Sequence, residues 1–510
     1  MQNNREDSLP KIDRWHSQPL DVHKWSEHPE IKELCDKLYN ALGIYKLDKP
    51  GNRKPKRQAK DMLRVLILDL YVNWIKDPTM SIGFTKRKAD YKVSSRYNKV
   101  HISAKIIDVE ALLFEGGYLE ELDGYYDRTG QGRSYSTRLR PSLSLRKEFT
   151  QITLELYDID FDVDRELIIL RERFTDELGR VKKAEIEYED TELTVRLREQ
   201  LVAYNAILKR TFIDIPSQTE AFIRREIPLK NGKMFEQRIS IGPDNKHVHR
   251  VFNGTEADNW SKGGRFYGGW WLQIPKEMRK DIYINDKPTV EVDYKALHPN
   301  LLADFSEHDP YDLGTIILPD VMTERDKQRA AVKEIILMAI NADSANKAFS
   351  AFRKKQKTGD VLKKLTNHQL QQLLDGFTNH YPEIKDALNT GKALELMNVD
   401  STIANIVVDY FTEQSVPVLC IHDSFIIQHD KEEELKRVLH RTAVQVAGKA
   451  IPQDTKSNKK KIKTYVQGNI EGYASGREAI IVIPNKVAAT KEYELRMGKF
   501  SNWLSTTYES

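Results

Sequence analysis

The N-terminal part of the chain alternates between apolar stretches of helical spacing and polar breaks. DMLRVLILDLYVNW (61–74) and SAKIIDVEALLFEGGYL (103–119) both repeat apolar residues at helical intervals. The pair Gly116–Gly117 is placed to stop the second helix, because glycine readily adopts the left-handed conformation that often follows a helix end. The run 118–145 then has two alternating segments around a Gly-rich turn, which predicts a β-hairpin.

The rest of the chain mixes strand-like and helical patterns. TELTVRLREQLVAYNAILKRTF (191–212) predicts a long helix, and FIRREIPLKNGKMFEQRISIG alternates around a Lys-Asn-Gly turn. Further alternating strands lie near 288–294 and 416–428, separated by long helical stretches in 325–413. Such a mixture predicts an α+β fold.

Length and composition narrow the class of protein. A chain of 510 residues predicts two or three domains, and contents of 40% hydrophobic and 31% charged residues are typical of a soluble globular protein. No apolar run is long enough to span a bilayer, and the N-terminus lacks the apolar segment of a secretory signal, so we expect a cytoplasmic protein without a membrane partner. Cys35 and Cys420 have no paired spacing, so neither a disulfide framework nor a zinc site is indicated.

Positive charge is clustered although the net charge is only +4. Basic clusters occupy 49–60, 86–88 and 456–463. Clusters of this kind can bind phosphates, but each can equally be a solvated loop.

The helix, glycine stop and hairpin of 103–145 resemble a winged-helix DNA-binding module. Arg133, Arg138 and Arg140 lie on the hairpin, where they would meet DNA. Many small α+β modules share this pattern, so an unspecialised helical cap is the alternative.

A first candidate for chemistry is TVEVDYKALHPNLL (289–302). The β-forming residues of TVEV deliver Asp293 to the end of a strand, and apolar residues at helical spacing follow it. A carboxylate at a strand end beside a helix N-terminus is well placed to hold a cation and a triphosphate.

A second carboxylate lies in VPVLCIHDSFIIQ (416–428). Apolar strands flank a His-Asp-Ser turn, which places Asp423 at the tip of a hairpin. Two aspartates at strand tips can meet across adjacent strands and hold two divalent metals about 4 Å apart, which lower the pKa of an attacking 3′-hydroxyl and neutralise a pyrophosphate leaving group.

A cationic stripe lies on the predicted helix within 323–342. Arg325, Arg329 and Lys333 recur every four residues and are suited to bind the phosphates of a nucleotide. Taken alone, the stripe is more commonly a solvated helix face, and either aspartate alone is more commonly a turn or cap residue.

In combination, the three segments resemble motifs A, B and C of the A-family DNA polymerases and the related phage-type single-subunit RNA polymerases. VEVDYKALHPNLL corresponds to motif A, Arg329-x-x-x-Lys333 to motif B and CIHDSF to motif C. Segments 263–275, 380–388 and 397–411 also resemble parts of that family. The likeness covers about 250–430 and leaves 1–200 uncovered.

The resemblance implies a right-hand palm–fingers–thumb polymerase with an antiparallel palm sheet, preceded by a mainly helical N-terminal region. It implies two Mg²⁺ ions, with Mn²⁺ as an alternative, held by the catalytic residues Asp293 and Asp423. It also implies two sets of binding residues. Those for the nucleotide are Arg325, Arg329, Lys333, Tyr294 and His298, and those for the DNA template–primer are Arg265, Arg279, His422 and Asn398.

The chain departs from the family at two places. The residue five after the motif A aspartate senses the sugar, and here it is His298, whose bulk favours deoxynucleotides although histidine can also donate a hydrogen bond to a hydroxyl. Asn341 and Ala342 replace the usual Tyr-Gly pair, so the aromatic platform for the templating base pair is either missing or supplied by another residue. Only 130 positions separate the two aspartates, which predicts reduced fingers.

These patterns divide the chain into seven predicted segments. They are a polar segment with a basic linker (1–60), the possible winged-helix module (61–150), a helical thumb-like region (151–215), a first palm part with motif A (216–300), fingers with motif B (301–395), a second palm part with motif C (396–475) and a C-terminal tail (476–510).

Three functions remain open from the sequence. The first is a template-directed DNA polymerase that uses nucleoside triphosphates and lacks a proofreading exonuclease. The second is a single-subunit RNA polymerase or primase on the same palm. The third is a nucleic-acid-binding protein without catalysis, which the basic clusters and the possible winged helix would serve equally well.

Overall fold

The fold is described from a computed structural model. It describes residues 9–48, 57–127, 134–177, 179, 181–228, 234–303, 305, 309–457, 459–470, 473–484 and 486–508. Arg133, the Lys-Asn-Gly turn of 230–232 and most of the basic cluster 49–60 therefore lie outside the described residues.

The described residues form helices and strands in a mixed order, which confirms the α+β class. The helices are α1 (Pro29–Ala41), α2 (Ala59–Lys76), α3 (Lys105–Glu115), α4 (Leu143–Phe149), α5 (Glu192–Lys209), α6 (Leu297–Leu302), α7 (Arg325–Asn341), α8 (Ala345–Lys355), α9 (Asn367–His380), α10 (Ala393–Glu413), α11 (Glu432–Ala447) and α12 (Lys491–Tyr508). None of these described helices is both long enough and apolar enough to cross a membrane.

The strands are short except for one late hairpin. They are β1 (Ser17–Pro19), β2 (Ser81–Phe84), β3 (Leu119–Leu122), β4 (Thr137–Pro141), β5 (Ile168–Thr175), β6 (Val181–Glu185), β7 (Ile213–Asp214), β8 (Phe222–Pro228), β9 (Met234–Ser240), β10 (Val248–Asn253), β11 (Gly263–Gly268), β12 (Tyr283–Ile284), β13 (Lys287–Tyr294), β14 (Leu419–Ile421), β15 (Ser424–Gln428), β16 (Gln453–Ser457), β17 (Lys459–Ile470) and β18 (Tyr473–Pro484).

The chain folds into two compact units that are each discontinuous in sequence. Unit 1 contains Met1–Leu167, Gln218–His247 and Thr490–Ser510, and unit 2 contains Ile168–Ser217 and Val248–Ala489. These units cut across two predicted segments. The segment 151–215 is divided after Leu167, and the segment 216–300 is divided because the hairpin β8–β9 groups with unit 1. The functional roles assigned to the seven segments stay predictions.

Unit 1 packs helices on a four-stranded sheet of order β1–β2–β4–β3. α2 is buried along most of its length, which explains why its sequence is apolar on nearly every side. α3 ends as predicted, with Gly117 in the left-handed region at φ 78°. The predicted hairpin is also confirmed, since β3 and β4 pair antiparallel with Leu119 opposite Pro141.

The two hairpin arginines that the structure describes, Arg138 and Arg140, do not form an exposed DNA-binding surface. Arg140 is 2% exposed and its guanidinium pairs with Glu120. Arg138 is 8% exposed and donates to the backbone carbonyl of Arg14 at 2.8 Å. Their positions on the central strand β4 bury both side chains, so any DNA contact of unit 1 needs other residues.

The region 151–215 is less helical than predicted. β5 and β6 pair antiparallel within it, and only α5 matches the predicted long helix. The apolar run Ile168–Ile169–Leu170 explains the strand, since β-branched residues favour extended backbone in a half-buried position.

Unit 2 is built around an antiparallel sheet of order β14–β15–β13–β12–β7, with β16 also paired to β13. A second sheet of order β11–β10–β5–β6 belongs to the same unit. α7, α8 and α9 form a separate apolar cluster with residues of 303–322, centred on Ile335, Ile336 and Phe377, which are fully buried. The segment that carries the predicted motif B is therefore a compact helical subdomain within unit 2.

Candidate active site

β13 carries the first predicted aspartate into the centre of the antiparallel sheet. Val290 and Val292 are buried on one face, and Asp293 follows on the other face at the strand's end. β15 pairs with β13 on one side and β16 on the other, so that Asp293 lies opposite Ser424 and also opposite Asp454. Opposed residues of an antiparallel pair share a face of the sheet, so these side chains are neighbours of Asp293.

The second predicted aspartate lies in the turn that joins β14 and β15. His422 adopts φ 59°, a left-handed conformation that closes this tight turn before Asp423. The backbone amide of Tyr294 donates to the carbonyl of Asp423 at 3.4 Å. The structure therefore brings the backbones of Asp293 and Asp423 together at the same end of neighbouring strands, although 130 positions separate them in sequence.

The charges of the two carboxylates are not fully compensated by donors of the described protein. Among the described residues, Oδ1 of Asp293 is buried without a hydrogen-bond partner, while Oδ2 accepts from Lys456. Burial raises the pKa of Asp423, and its own backbone amide and Arg265 only partly offset that effect. A buried carboxylate that is short of donors is stabilised by a bound cation, so the residues fit a divalent metal.

The donor set is nevertheless small. No group of three or more His, Cys, Asp or Glu side chains within the described parts of the chain is arranged to hold a metal by itself. Mg²⁺ commonly binds through only one or two carboxylates, with substrate phosphates and water as its other ligands. Asp293 and Asp423 match this open type of site better than a closed structural one.

A buried network lies beside Asp423. Asp400, in α10, accepts from Nε of Arg265 at 3.0 Å and from Nε2 of His298 at 2.9 Å. Burial alone would raise the pKa of Asp400, but the hydrogen bonds from His298 and Arg265 outweigh burial and lower it. Arg265 and His298 also act electrostatically on Asp423, so the same two predicted site residues influence both carboxylates.

The other residues predicted to bind nucleic acid are partly engaged within the protein. Arg279 lies 3.8 Å from Glu291, and its Nε is buried without a partner among the described residues. Burial, followed by the charge of Arg265, lowers the pKa of His422 to about 4, so this ring is neutral near pH 7. The amide of Asn398 donates to the backbone carbonyl of Trp260 at 2.8 Å, which fixes α10 to the chain before β11.

The side chain of Tyr294 does not face the aspartates, although its backbone amide contacts Asp423. Its ring is 3% exposed, and its hydroxyl donates to the carbonyl of Leu439 at 2.6 Å. The alternation of β13 explains this, because consecutive side chains of a strand point to opposite faces.

The predicted cationic helix is confirmed as α7, and its charges are paired locally. Arg325 bonds to Asp312 at 2.9 Å, and Arg329 pairs with Asp309. Nζ of Lys333 lies 5.7 Å from the ring centroid of Tyr311. These pairs are exposed and can exchange partners, so nucleotide binding by Arg325, Arg329 and Lys333 stays a prediction.

Sequence reasoning missed several polar residues of this region. They are Glu291, Asp400, Ser424, Asp454 and Lys456. Glu291 has a visible signal, because a charged residue two positions before Asp293 lies on the same face of a predicted strand. It is 5% exposed and accepts from Oγ of Ser424 at 3.0 Å.

Comparison with known proteins yields a distant likeness to a solved structure. No protein-family profile matches the chain, and no curated protein matches it. The POL domain of Pol1 from M. smegmatis, solved in complex with DNA primer-template and dNTP, aligns with 9% identity and a TM-score of 0.28. The alignment covers 51% of this chain and 50% of that one, so the chain matches about half the length of that polymerase domain. This likeness is too distant to carry a functional conclusion, which has to come from the site itself.

Proposed function

We propose that this protein is a template-directed nucleotidyltransferase of the palm–fingers–thumb type, and specifically a DNA polymerase. The observation that carries the proposal is that the backbones of Asp293 and Asp423 meet at one end of adjacent antiparallel strands, where Oδ1 of Asp293 is buried without a donor among the described residues. Phosphoryl transfer needs positioning and charge neutralisation more than covalent chemistry, and divalent cations held by an open pair of carboxylates would provide both.

In this proposal Asp293 and Asp423 hold two Mg²⁺ ions, with Mn²⁺ as an alternative. When bound, the ions would favour ionisation of a primer 3′-hydroxyl and neutralise the departing pyrophosphate. Arg325, Arg329 and Lys333 of α7 bind the triphosphate once they leave their local partners. Arg265, Arg279, His422 and Asn398 line the path of the template–primer, and Asn398 acts there by fixing backbone.

The two enzymatic alternatives, a DNA polymerase and an RNA polymerase or primase, differ in the sugar of the nucleotide that they use. His298 follows Asp293 by five positions and lies within the network around Asp423. Its imidazole is bulky, and bulk at this place excludes a 2′-hydroxyl. We therefore favour deoxynucleotides over the ribonucleotides of an RNA polymerase or primase.

The direct test is incorporation of labelled nucleotides on primed and unprimed templates. We expect Asp423→Ala and Asp293→Ala to lose activity by about a thousandfold, because a metal contributes several kcal/mol to the transition state. Asp430→Ala is the control, since Asp430 follows β15 at the opposite end of the β13–β15 pair, where it pairs with exposed Lys287 at 2.8 Å. Normal extension by Asp423→Ala would remove this site from the chemistry.

Two further outcomes distinguish the alternatives. A strong preference for ribonucleotides in a competition between equal concentrations would identify an RNA polymerase or primase. Tight DNA binding without incorporation under either Mg²⁺ or Mn²⁺ would identify a non-catalytic nucleic-acid-binding protein.

A further inference from the structure

A single buried carboxylate holds side chains from two other elements of unit 2. The side chain of Asp400 is fully buried in α10. Its oxygens accept from Nε and Nη2 of Arg265, on β11, and from Nε2 of His298, on α6. Neither partner is near Asp400 in sequence, so this contact exists only because the fold brings α6, α10 and β11 together.

This carboxylate determines the hydrogen position on the imidazole of His298. An ionised carboxylate can only accept hydrogen bonds, and the hydrogen bonds from His298 and Arg265 keep the pKa of Asp400 below its usual range. Nε2 of His298 must therefore carry the hydrogen that Asp400 accepts at 2.9 Å. The approach of Arg265 Nη2 to the same nitrogen, at 3.3 Å, is then a packing contact between two donors.

The network also limits how His298 meets a ligand. Its Nε2–H is used by Asp400, and the neighbouring guanidinium of Arg265 blocks that edge of the ring. The side chain of His298 is 13% exposed, so only a small part of it is available to anything outside the protein. Held in this way, the ring acts on a ligand through its fixed bulk.

We propose that Asp400 is a positioning residue for sugar discrimination, holding His298 in one tautomer and one orientation so that the ring excludes 2′-hydroxyl groups. This inference rests on the proposed function, because it takes the ligand to be a 2′-deoxyribonucleoside triphosphate. Arg265 shares the same carboxylate, so the residue assigned to the template–primer and the residue assigned to the nucleotide sugar are held by one group.

Asp400→Asn tests the inference with almost no change of shape. An amide that replaces a carboxylate presents donors as well as an acceptor, and it favours the other tautomer of the histidine it contacts. In the variant Nδ1 of His298 then carries the hydrogen and can donate to a ribose hydroxyl. We expect the ratio of kcat/KM for deoxy- over ribonucleotides to fall by about tenfold, the effect of one net hydrogen bond.

A double-mutant comparison separates positioning from general destabilisation. In a His298→Ala background, Asp400→Asn should leave the sugar ratio unchanged, because no ring remains to be oriented. Asp409→Asn is the matched control, since Asp409 lies on the same helix and bonds to Gln200 at 2.7 Å. A fall in kcat that is equal for both sugars, or an effect of Asp400→Asn that persists without His298, would overturn the inference.

A spectroscopic measurement tests the same contact without activity. ¹⁵N NMR of the wild-type protein with labelled histidine, with the signal assigned by its loss in His298→Gln, should show the Nε2–H form of His298. An Nδ1–H form in the wild type would overturn the inference even if Asp400→Asn fails to fold. If the wild type incorporates no nucleotide at all, the proposed function fails, and the NMR result still decides whether Asp400 fixes the tautomer of His298.

Discussion

Lys456 shares the carboxylate that is proposed to bind metal, and this makes a quantitative prediction possible. Its Nζ contacts Oδ2 of Asp293. The ammonium group therefore occupies the position of a divalent cation and compensates the negative charge that would attract one. In Lys456→Met the apolar stem is retained and the charge is lost. We therefore expect the variant to bind Mn²⁺ more tightly than the wild type does.

The magnitude follows from the exposure of the two side chains. Lys456 is 33% exposed and Asp293 is 24% exposed, so both side chains of the pair are partly accessible to water. Ion pairs of this kind contribute about 0.2–1 kcal/mol, and a tenfold change in affinity corresponds to about 1.4 kcal/mol. Loss of the competing ammonium should therefore tighten Mn²⁺ binding by about 1.4- to fivefold, and added salt should reduce the difference.

Calorimetric titration of the metal-free protein with Mn²⁺ measures this difference directly. Lys431→Met serves as the control, because Lys431 is 38% exposed and bonds to Glu434 at 2.8 Å elsewhere in unit 2. The control should match the wild type in metal affinity. Unchanged or weaker Mn²⁺ binding by Lys456→Met would show that Asp293 does not ligate the metal, or that Lys456 assists binding in another way, and the reasoning from charge competition would be refuted.

Two further predictions concern other charged groups. Asp309→Asn should release Arg329, whose side chain is 40% exposed in the pair, and lower the apparent KM for nucleotide by about two- to fivefold. An unchanged KM, together with full activity of Arg329→Ala, would exclude Arg329 from the triphosphate site. Burial raises the pKa of Glu110 from 4.5 to about 7, so its stabilising contribution is complete below about 4.5 and is lost as pH rises toward 7. Glu110→Gln should flatten this loss in melting temperatures measured from pH 5 to pH 8, and an unchanged pH profile would contradict the assignment.

Asp293 and Asp423 could be predicted from the sequence because the patterns that mark them are local. A run of β-forming residues that ends in Asp293, and two apolar strands around Asp423, each predict an exposed carboxylate at a strand end without knowledge of the rest of the chain. α7 was predictable for the same reason, since its apolar residues repeat at helical spacing. Local patterns of this kind report which elements form, and they also constrain which side chains can point toward a common face.

The partners of those residues depend on contacts between distant segments and have no local signature. Asp400 lies in an ordinary amphipathic helix, 102 positions from His298, and nothing in its neighbourhood marks it as the residue that holds an imidazole. Lys456 belongs to a basic cluster that reads equally well as a solvated loop, until pairing of β16 with β13 places it against Asp293. Strand pairing is determined by tertiary packing more than by intrinsic preference, so such neighbours cannot be assigned from one sequence.

Asp293, Asp400 and Asp423 differ in how far the protein itself satisfies their carboxylates, and this difference indicates where a cation binds. Asp400 is saturated, because Arg265 and His298 both donate to a fully buried carboxylate. Asp293 is half satisfied, since Lys456 contacts one oxygen while the other is buried and has no partner within the described parts of the chain. The carboxylate of Asp423 accepts a hydrogen bond from its own backbone amide, but burial still raises its pKa. A divalent ion gains most where carboxylate charge is least compensated. It should therefore bind at Asp423 and Asp293 and leave Asp400 to its structural partners, which explains how aspartates so close together can serve two different purposes.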